Sequence, residues 1–367
     1  MTNFTAYYIA GFGVIASIDL LTSAFPLHLY GIFSNTADVG LILGAYAVLS
    51  VLWRVPISKF VYGRPLREGL LLGLFLMFFS HVGYIFSAGR AAFLFSRFVF
   101  GVGLCGFFLL LLESVNSEIA GPSAPRLYGI FSTIFIVPLL FAPALGVEIL
   151  RKSGFTVLII YSLGFFAVSA AAVFFIRKTA GRPSGFEKKI FYELIFRKHP
   201  HFVLLFLIIF AYSSIIVFLP ILAAEKGLVK FAFAFTFLAV STILLRVFAA
   251  RIFERMGMRN CLLAGIILLV FSIFGFRFSG SYPVFFLSAV FYGFGWAFFE
   301  SNYIPSLVSG SARHSELISM YSTVFDVAYF AGPLLSGIFA GFYGVRNLYA
   351  VLPLFCLLGI GYFYKFN

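Results

Sequence analysis

Glutamine is absent from all 367 residues of this chain, and charge of either sign is scarce, since only 11% of residues are Asp, Glu, Lys or Arg. A soluble domain needs a charged surface, so this composition excludes one of appreciable size. Cysteine is limited to Cys105, Cys261 and Cys356, each inside an apolar run and without C-x-x-C spacing. Such thiols read as small buried hydrophobes rather than as a redox or metal centre. No G-x-x-x-x-G-K-[ST] loop is present to support ATP drive. No zinc-type His/Cys cluster and no Ser–His nucleophile element marks an enzyme. Neither a cofactor nor a metal is expected. A scarcity of thermolabile amides is also a trait of heat-adapted proteins.

What is present is hydrocarbon. Hydrophobic residues make up 62% of the chain and phenylalanine alone contributes 53. Apolar runs long enough to cross a ~30 Å hydrocarbon layer as helices recur from end to end. Twelve are expected, near 6–29, 38–60, 69–88, 92–117, 127–150, 155–176, 201–223, 230–252, 260–279, 282–308, 317–342 and 347–365. Barrel strands would instead be runs of ~10 residues in strict alternation. The fold class is therefore an all-α polytopic membrane protein. The first run is too long for a cleaved signal peptide, and residues 1–5 carry no Lys or Arg.

The net charge of +13 invites a nucleic-acid reading, but its distribution opposes one. With the N-terminus in the cytoplasm, the cytoplasmic loops and C-terminus hold 15 Lys/Arg and the opposite side holds seven. That bias is the positive-inside rule with both termini cytoplasmic in a cell membrane. The expected partners are lipid, a small-molecule substrate and protons, with no nucleic acid, and the chain is expected to act as a monomer.

The longest hydrophilic stretch, 177–200, follows the sixth span. Gly181, Pro183 and Gly185 give it a linker character. Phe186, Ile190, Phe191, Leu194 and Ile195 then recur at helical spacing, as in an amphipathic helix on the inner leaflet. The expected divisions are 1–176, 177–200 and 201–367. The halves also resemble each other. A-V-L-S-V-L-W-R-V-P (47–56) aligns with A-V-S-T-I-L-L-R-V-F (239–248) at an offset of 192. The same offset carries Gly101 and Gly103 onto Gly293 and Gly295, and an offset of 190 carries Pro143 onto Pro333. Constant offsets of this kind indicate duplication. Two parallel six-helix halves are a transporter architecture with its site between them.

Several stretches are similar to motifs of the major facilitator superfamily. The loops V-Y-G-R-P-L-R, with Gly63 and Arg64, and F-E-R-M-G-M-R, with Glu254, Arg255 and Gly257, resemble its first-loop signature. R-F-V-F-G-V-G-L-C-G (97–106) is similar to the span-four R-x-x-x-G-x-G-x-G element. A-P-A-L-G (142–146) and G-P-L-L-S-G (332–337) resemble the Gly-Pro element of antiporters. The chain departs from those patterns where Phe60 stands in place of the first-loop acid, and at Ala142 and Val147. The resemblance implies two pseudo-symmetric six-helix bundles, transport by alternating access, and gating roles for the motif residues.

An ionisable group inside a span costs about 2.5 kcal/mol or more at mid-bilayer, so it usually faces a cavity or a partner. Asp19 lies near the middle of span one, with Thr22, Ser23 and Pro26 completing one polar, kinkable face. Two readings stand for it: a structural carboxylate held by a neighbour, or a proton site, as the resemblance implies for this helix. Arg97 is its candidate counter-charge, unless it snorkels to the headgroups. Glu113, 16 residues beyond Arg97 and about 160° round the helix, suits a gate near the membrane surface. On span ten, Gly293, Trp296, Glu300 and Tyr303 share a face; on span eleven, Ser322, Asp326, Tyr329 and Pro333 do. Aromatics beside acids suit a cavity for an organic, cationic solute, or simple helix packing. Arg54 and Arg246 occupy equivalent places in spans two and eight, where they snorkel or bind an anionic substrate. His81 reads as packing.

The expectation is a proton-coupled secondary transporter of a small organic solute. Asp19, Arg97, Glu300 and Asp326 are the coupling candidates, and efflux by antiport is the first direction. Symport or facilitation of a metabolite or organic anion is the alternative. A transporter-like sensor without transport is the reading from another class.

Overall fold

The computed structural model describes residues 3–52, 65–118, 124–176, 197–311 and 313–366. Among these residues the chain is built of helices, and no strand forms. Span one consists of α1 (Asn3–Thr22) and α2 (Ala24–Phe33), broken at Ser23. Pro26 accounts for the break: it offers no N–H to the Thr22 carbonyl, and its ring crowds that oxygen. Helices α3 (Thr36–Leu52), α4 (Leu66–Phe86) and α5 (Arg90–Glu118) supply spans two to four. Span five is segmented into α6 (Ala124–Ser132), two 3₁₀ turns at Thr133–Phe135 and Pro138–Leu140, and the start of α7 (Ala142–Phe174). Within α7 the chain turns at Gly154, whose φ of 85° and ψ of 175° suit only glycine. The remainder of α7 is span six.

Spans seven to twelve are α8 (His199–Glu225), α9 (Phe233–Met256), α10 (Met258–Phe278), α11 (Tyr282–Val308), α12 (His314–Tyr343) and α13 (Val345–Phe366). Nine of the described helices are long and apolar enough to cross a membrane singly. The others are α2, α3, α6 and α9. Gly257, at φ 74°, permits the one-residue turn between α9 and α10.

The chain forms two compact units. The first is Met1–His28 with Ile42–Ser184; the second is Leu29–Leu41 with Gly185–Asn367. In the first unit α1 packs on α7, α4 on α5 and α4 on α7. In the second, α8 packs on α12, α10 on α11 and α10 on α13. The same pairings therefore occur twice, and the duplication extends to single atoms. The Ser80 hydroxyl donates to the Ser96 carbonyl at 2.7 Å, and the Ser272 hydroxyl donates to the Ser288 carbonyl at 2.7 Å. Gly73 and Gly103 let α4 and α5 meet backbone to backbone, and Gly265 and Gly295 do the same for α10 and α11. Close approach through small residues is how helices associate where lipid removes the hydrophobic driving force. Serines reinforce the α1–α7 and α8–α12 contacts, Ser17 with Ser162 at 2.5 Å and Ser336 with Ser214 at 2.8 Å.

Two further contacts organise the second unit. The Thr36 hydroxyl donates to the Gly337 carbonyl at 2.8 Å, and Gly40 lies directly on the Pro333 carbonyl. Residues 29–41, which fall in the N-terminal half of the sequence, thus pack inside the second unit. Lys226 Nζ donates to the carbonyls of Phe276 at 2.7 Å, Arg277 at 2.7 Å and Ser279 at 2.8 Å. It thereby satisfies the carbonyls that the end of α10 leaves open.

Candidate functional site

In the first unit the break in span one gathers polar groups. Asp19 sits four residues before Ser23, with the Thr22 hydroxyl beside its carboxylate. Its Oδ2 is buried and meets no hydrogen-bond donor among the described residues. Thr22 donates to the Ile18 carbonyl at 3.2 Å, and the fully buried Ser23 hydroxyl has no partner among the described residues. Gly146, three residues past Pro143, lies on the Leu20 carbonyl, so the A-P-A-L-G element of α7 packs on the residue next to Asp19.

Arg97 forms neither an ion pair nor a hydrogen bond with Asp19, so the counter-charge reading is not realised in this structure. Its guanidinium carbon lies instead 5.0 Å from the Phe25 ring centroid, 5.5 Å from Tyr46, 5.7 Å from Phe100 and 5.9 Å from Tyr84. Its Nε is buried without an acceptor among the described residues, as is the Tyr84 hydroxyl. His81 belongs to the packing around this box. Its Nδ1 is 3.0 Å from the Met77 carbonyl and its ring is 5.1 Å from Tyr84. Gly101, one turn beyond Arg97, brings α5 onto the Tyr46 carbonyl, and Gly103 crosses α4.

The second unit has a site of different character. Trp296 stacks on Tyr212 with centroids 4.2 Å apart and planes at 22°. Tyr212 also meets Tyr329 edge-on at 6.2 Å and lies 6.5 Å from Tyr292. One turn along α11 from Trp296, Glu300 pairs with Arg246 of α9. Glu300 and Arg246, proposed separately as a proton carrier and an anion ligand, thus neutralise each other. Asp326 is half-buried on α12, and both it and Glu300 lie near Tyr321. Tyr303 is withdrawn into the core at 1% exposure, with its hydroxyl donating to the His201 carbonyl at 2.8 Å. It packs rather than lining open space. Gly293 faces α9 and lies on the Leu238 carbonyl. Pro333 lies inside the continuous helix α12 and carries the Gly40 contact. Arg255 is exposed. Arg54, Gly63, Arg64, the amphipathic helix of the linker and the Glu254 side chain lie outside the described residues.

Sequence reasoning missed Tyr212 and Tyr84. A signal for the first was available: Pro220 stands 194 residues after Pro26, which marks α8 as the duplicate of span one and puts Ser213, beside Tyr212, in the place of Asp19.

The sequence matches the family model described as Major Facilitator Superfamily over residues 7–314 and 232–367. No curated protein matches it in a sequence search. Among solved structures, the fold is similar to that of the human organic anion transporter MFSD10 (TETRAN), with a TM-score of 0.72 at 17% identity and 98% of each chain covered. It is also similar to the nucleoside transporter NupG, with a TM-score of 0.76 at 11% identity, over 100% of this chain and 99% of that one. A POT family transporter in complex with a thioalcohol-conjugated peptide gives 0.79 at 13% identity, over 99% of this chain and 95% of that one.

Proposed function

We propose, on the premise that this chain belongs to the major facilitator superfamily, that it is a transporter in which Asp19 couples movement of a small organic solute to protons. The observation that carries the reading is the buried Asp19 Oδ2, without a donor and without an arginine among the described residues, one turn from a break in its helix. A buried oxygen with no partner is a poor place for a fixed structural charge. It suits a proton that is taken up and released as access alternates. Discontinuous helices mark ion and substrate sites in other secondary transporters.

Antiport is the direction we favour. Its support is the Pro143 element, which packs on Leu20, so a shift of α7 against α1 changes the surroundings of the carboxylate. Glu300 is the weaker coupling candidate because Arg246 already neutralises it. The membrane is a cell membrane, with both termini cytoplasmic from the charge bias.

The test is purified protein in proteoliposomes with an internal pH dye, challenged with gradients of candidate solutes. Wild type acidifies or alkalinises the lumen as solute moves, and Asp19→Asn moves solute without that signal or fails to move it. Proton movement unchanged in Asp19→Asn would overturn the assignment.

A further inference from the structure

We infer that Arg97 and Tyr84 form a subsite for the carboxylate of an organic monoanion, which names the solute class of the transport reading above and rests on it. Arg97 presents five N–H donors. The rings of Phe25, Tyr46, Phe100 and Tyr84 surround the guanidinium, yet its buried Nε has no acceptor among the described residues. Aromatic faces compensate part of a cation's desolvation. Ring faces do not occupy the in-plane N–H groups, and the fork that these form matches a carboxylate. The Tyr84 hydroxyl is a second buried donor without an acceptor among the described residues, on a ring of the same box. Native structures pair the great majority of buried polar atoms. Two unmatched donors beside one cation therefore point to a ligand.

The duplicated half argues against a purely structural role. At the 192-residue offset, Arg97 corresponds to Ala289 and Tyr84 to Phe276, both buried in the second unit. The neighbouring contacts recur in kind between the units: the Tyr84–Phe93 ring pair at 6.3 Å corresponds to Phe276–Phe285 at 5.1 Å. The same helix pair thus packs well with an alanine and a phenylalanine at these places. The guanidinium and the hydroxyl are chemistry added to an apolar scaffold. One positive charge and aromatic walls select a singly charged, partly apolar anion over a phosphate dianion.

The experiment is calorimetric titration of purified full-length protein in nanodiscs with benzoate, benzyl alcohol and phenyl phosphate. Benzoate is expected to bind, benzyl alcohol not to bind, and phenyl phosphate to bind more weakly than benzoate. Arg97→Ala should weaken benzoate at least about tenfold, and Tyr84→Phe by about threefold. Both variants copy residues that the second unit already packs, and thermal unfolding checks that they fold. Arg97→Lys, which keeps charge without the fork, should fall between wild type and Arg97→Ala. Equal binding of benzoate and benzyl alcohol, an unchanged benzoate affinity in Arg97→Ala, or tighter binding of phenyl phosphate would each overturn the inference. The titration needs no gradient, so its failure is separate from loss of proton movement in the liposome assay.

Discussion

Gly103 and Gly295 offer a quantitative test of the duplicated scaffold. A Cβ on Gly103 would stand 2.7 Å from the Gly73 carbonyl oxygen, and one on Gly295 would stand 2.8 Å from that of Gly265. Carbon–oxygen contacts settle at about 3.3–3.6 Å, so each helix pair must part by about 0.5–0.9 Å. Neither atom met is the free end of a side chain, so the strain cannot be relieved locally. Overpacking of this kind costs about 1–3 kcal/mol. Every Gly→Ala change in a helix also gains up to about 1 kcal/mol of propensity. Gly164→Ala and Gly361→Ala, where nothing lies within 4 Å, are the controls that cancel this gain.

Gly103→Ala and Gly295→Ala should therefore unfold about 1–3 kcal/mol earlier than those controls. At about 2–4 °C per kcal/mol for a unit of this size, the midpoints fall by about 2–12 °C. Thermal unfolding in detergent micelles, followed by helical circular dichroism, reads the difference. With Cys105 of the first unit changed to alanine throughout, labelling of the buried Cys261 and Cys356 by a thiol-reactive dye reports the second unit separately. Crossing variants as stable as the open ones, or an effect in one unit alone, would refute the reasoning.

Other consequences follow from contacts in the second unit. Glu300→Gln leaves Arg246 without a carboxylate and, after allowance for solvent screening of a partly exposed pair, should cost about 1–2 kcal/mol. The double variant Glu300→Gln/Arg246→Gln should cost less than the sum of the two single changes; additive losses in a double-mutant cycle would show that the pair is not coupled. Lys226→Met removes the donor that three carbonyls share and should cost about 1–3 kcal/mol. Hydrogen exchange at the C-terminal turn of α10 should accelerate in that variant, and unchanged exchange there would count against the cap.

The sequence carried the architecture because hydrocarbon imposes it: a span needs length and apolar composition, and both are visible in a single chain. Duplication was equally legible, since Gly101 and Gly293 announce themselves at a fixed offset. Neighbour relations between helices were not. Arg246 and Glu300 were each picked out as intramembrane charges, but nothing in either helix says that α9 faces α11. Asp19 and Arg97 looked like partners for the same reason in reverse, because helix faces fix direction and not the atom met. Tyr84 was invisible until Phe25 and Arg97 were placed around it. Pro26 was read as a kink, and the full break at Ser23 came from the carbonyl that it leaves without a donor.

The hydrogen bond from Thr36 to Gly337 joins residues 301 apart in the chain. A ribosome adding about 5–20 residues per second produces Thr36 roughly 15–60 s before the carbonyl that receives its hydroxyl. Through that interval the segment 29–41 has been made, but the α12 surface on which Gly40 rests does not exist. A first half expressed alone would keep that segment without its seat, and co-expression of the second half would supply it. The last unit to be synthesised is therefore also the one that seats a segment made near the start of the chain.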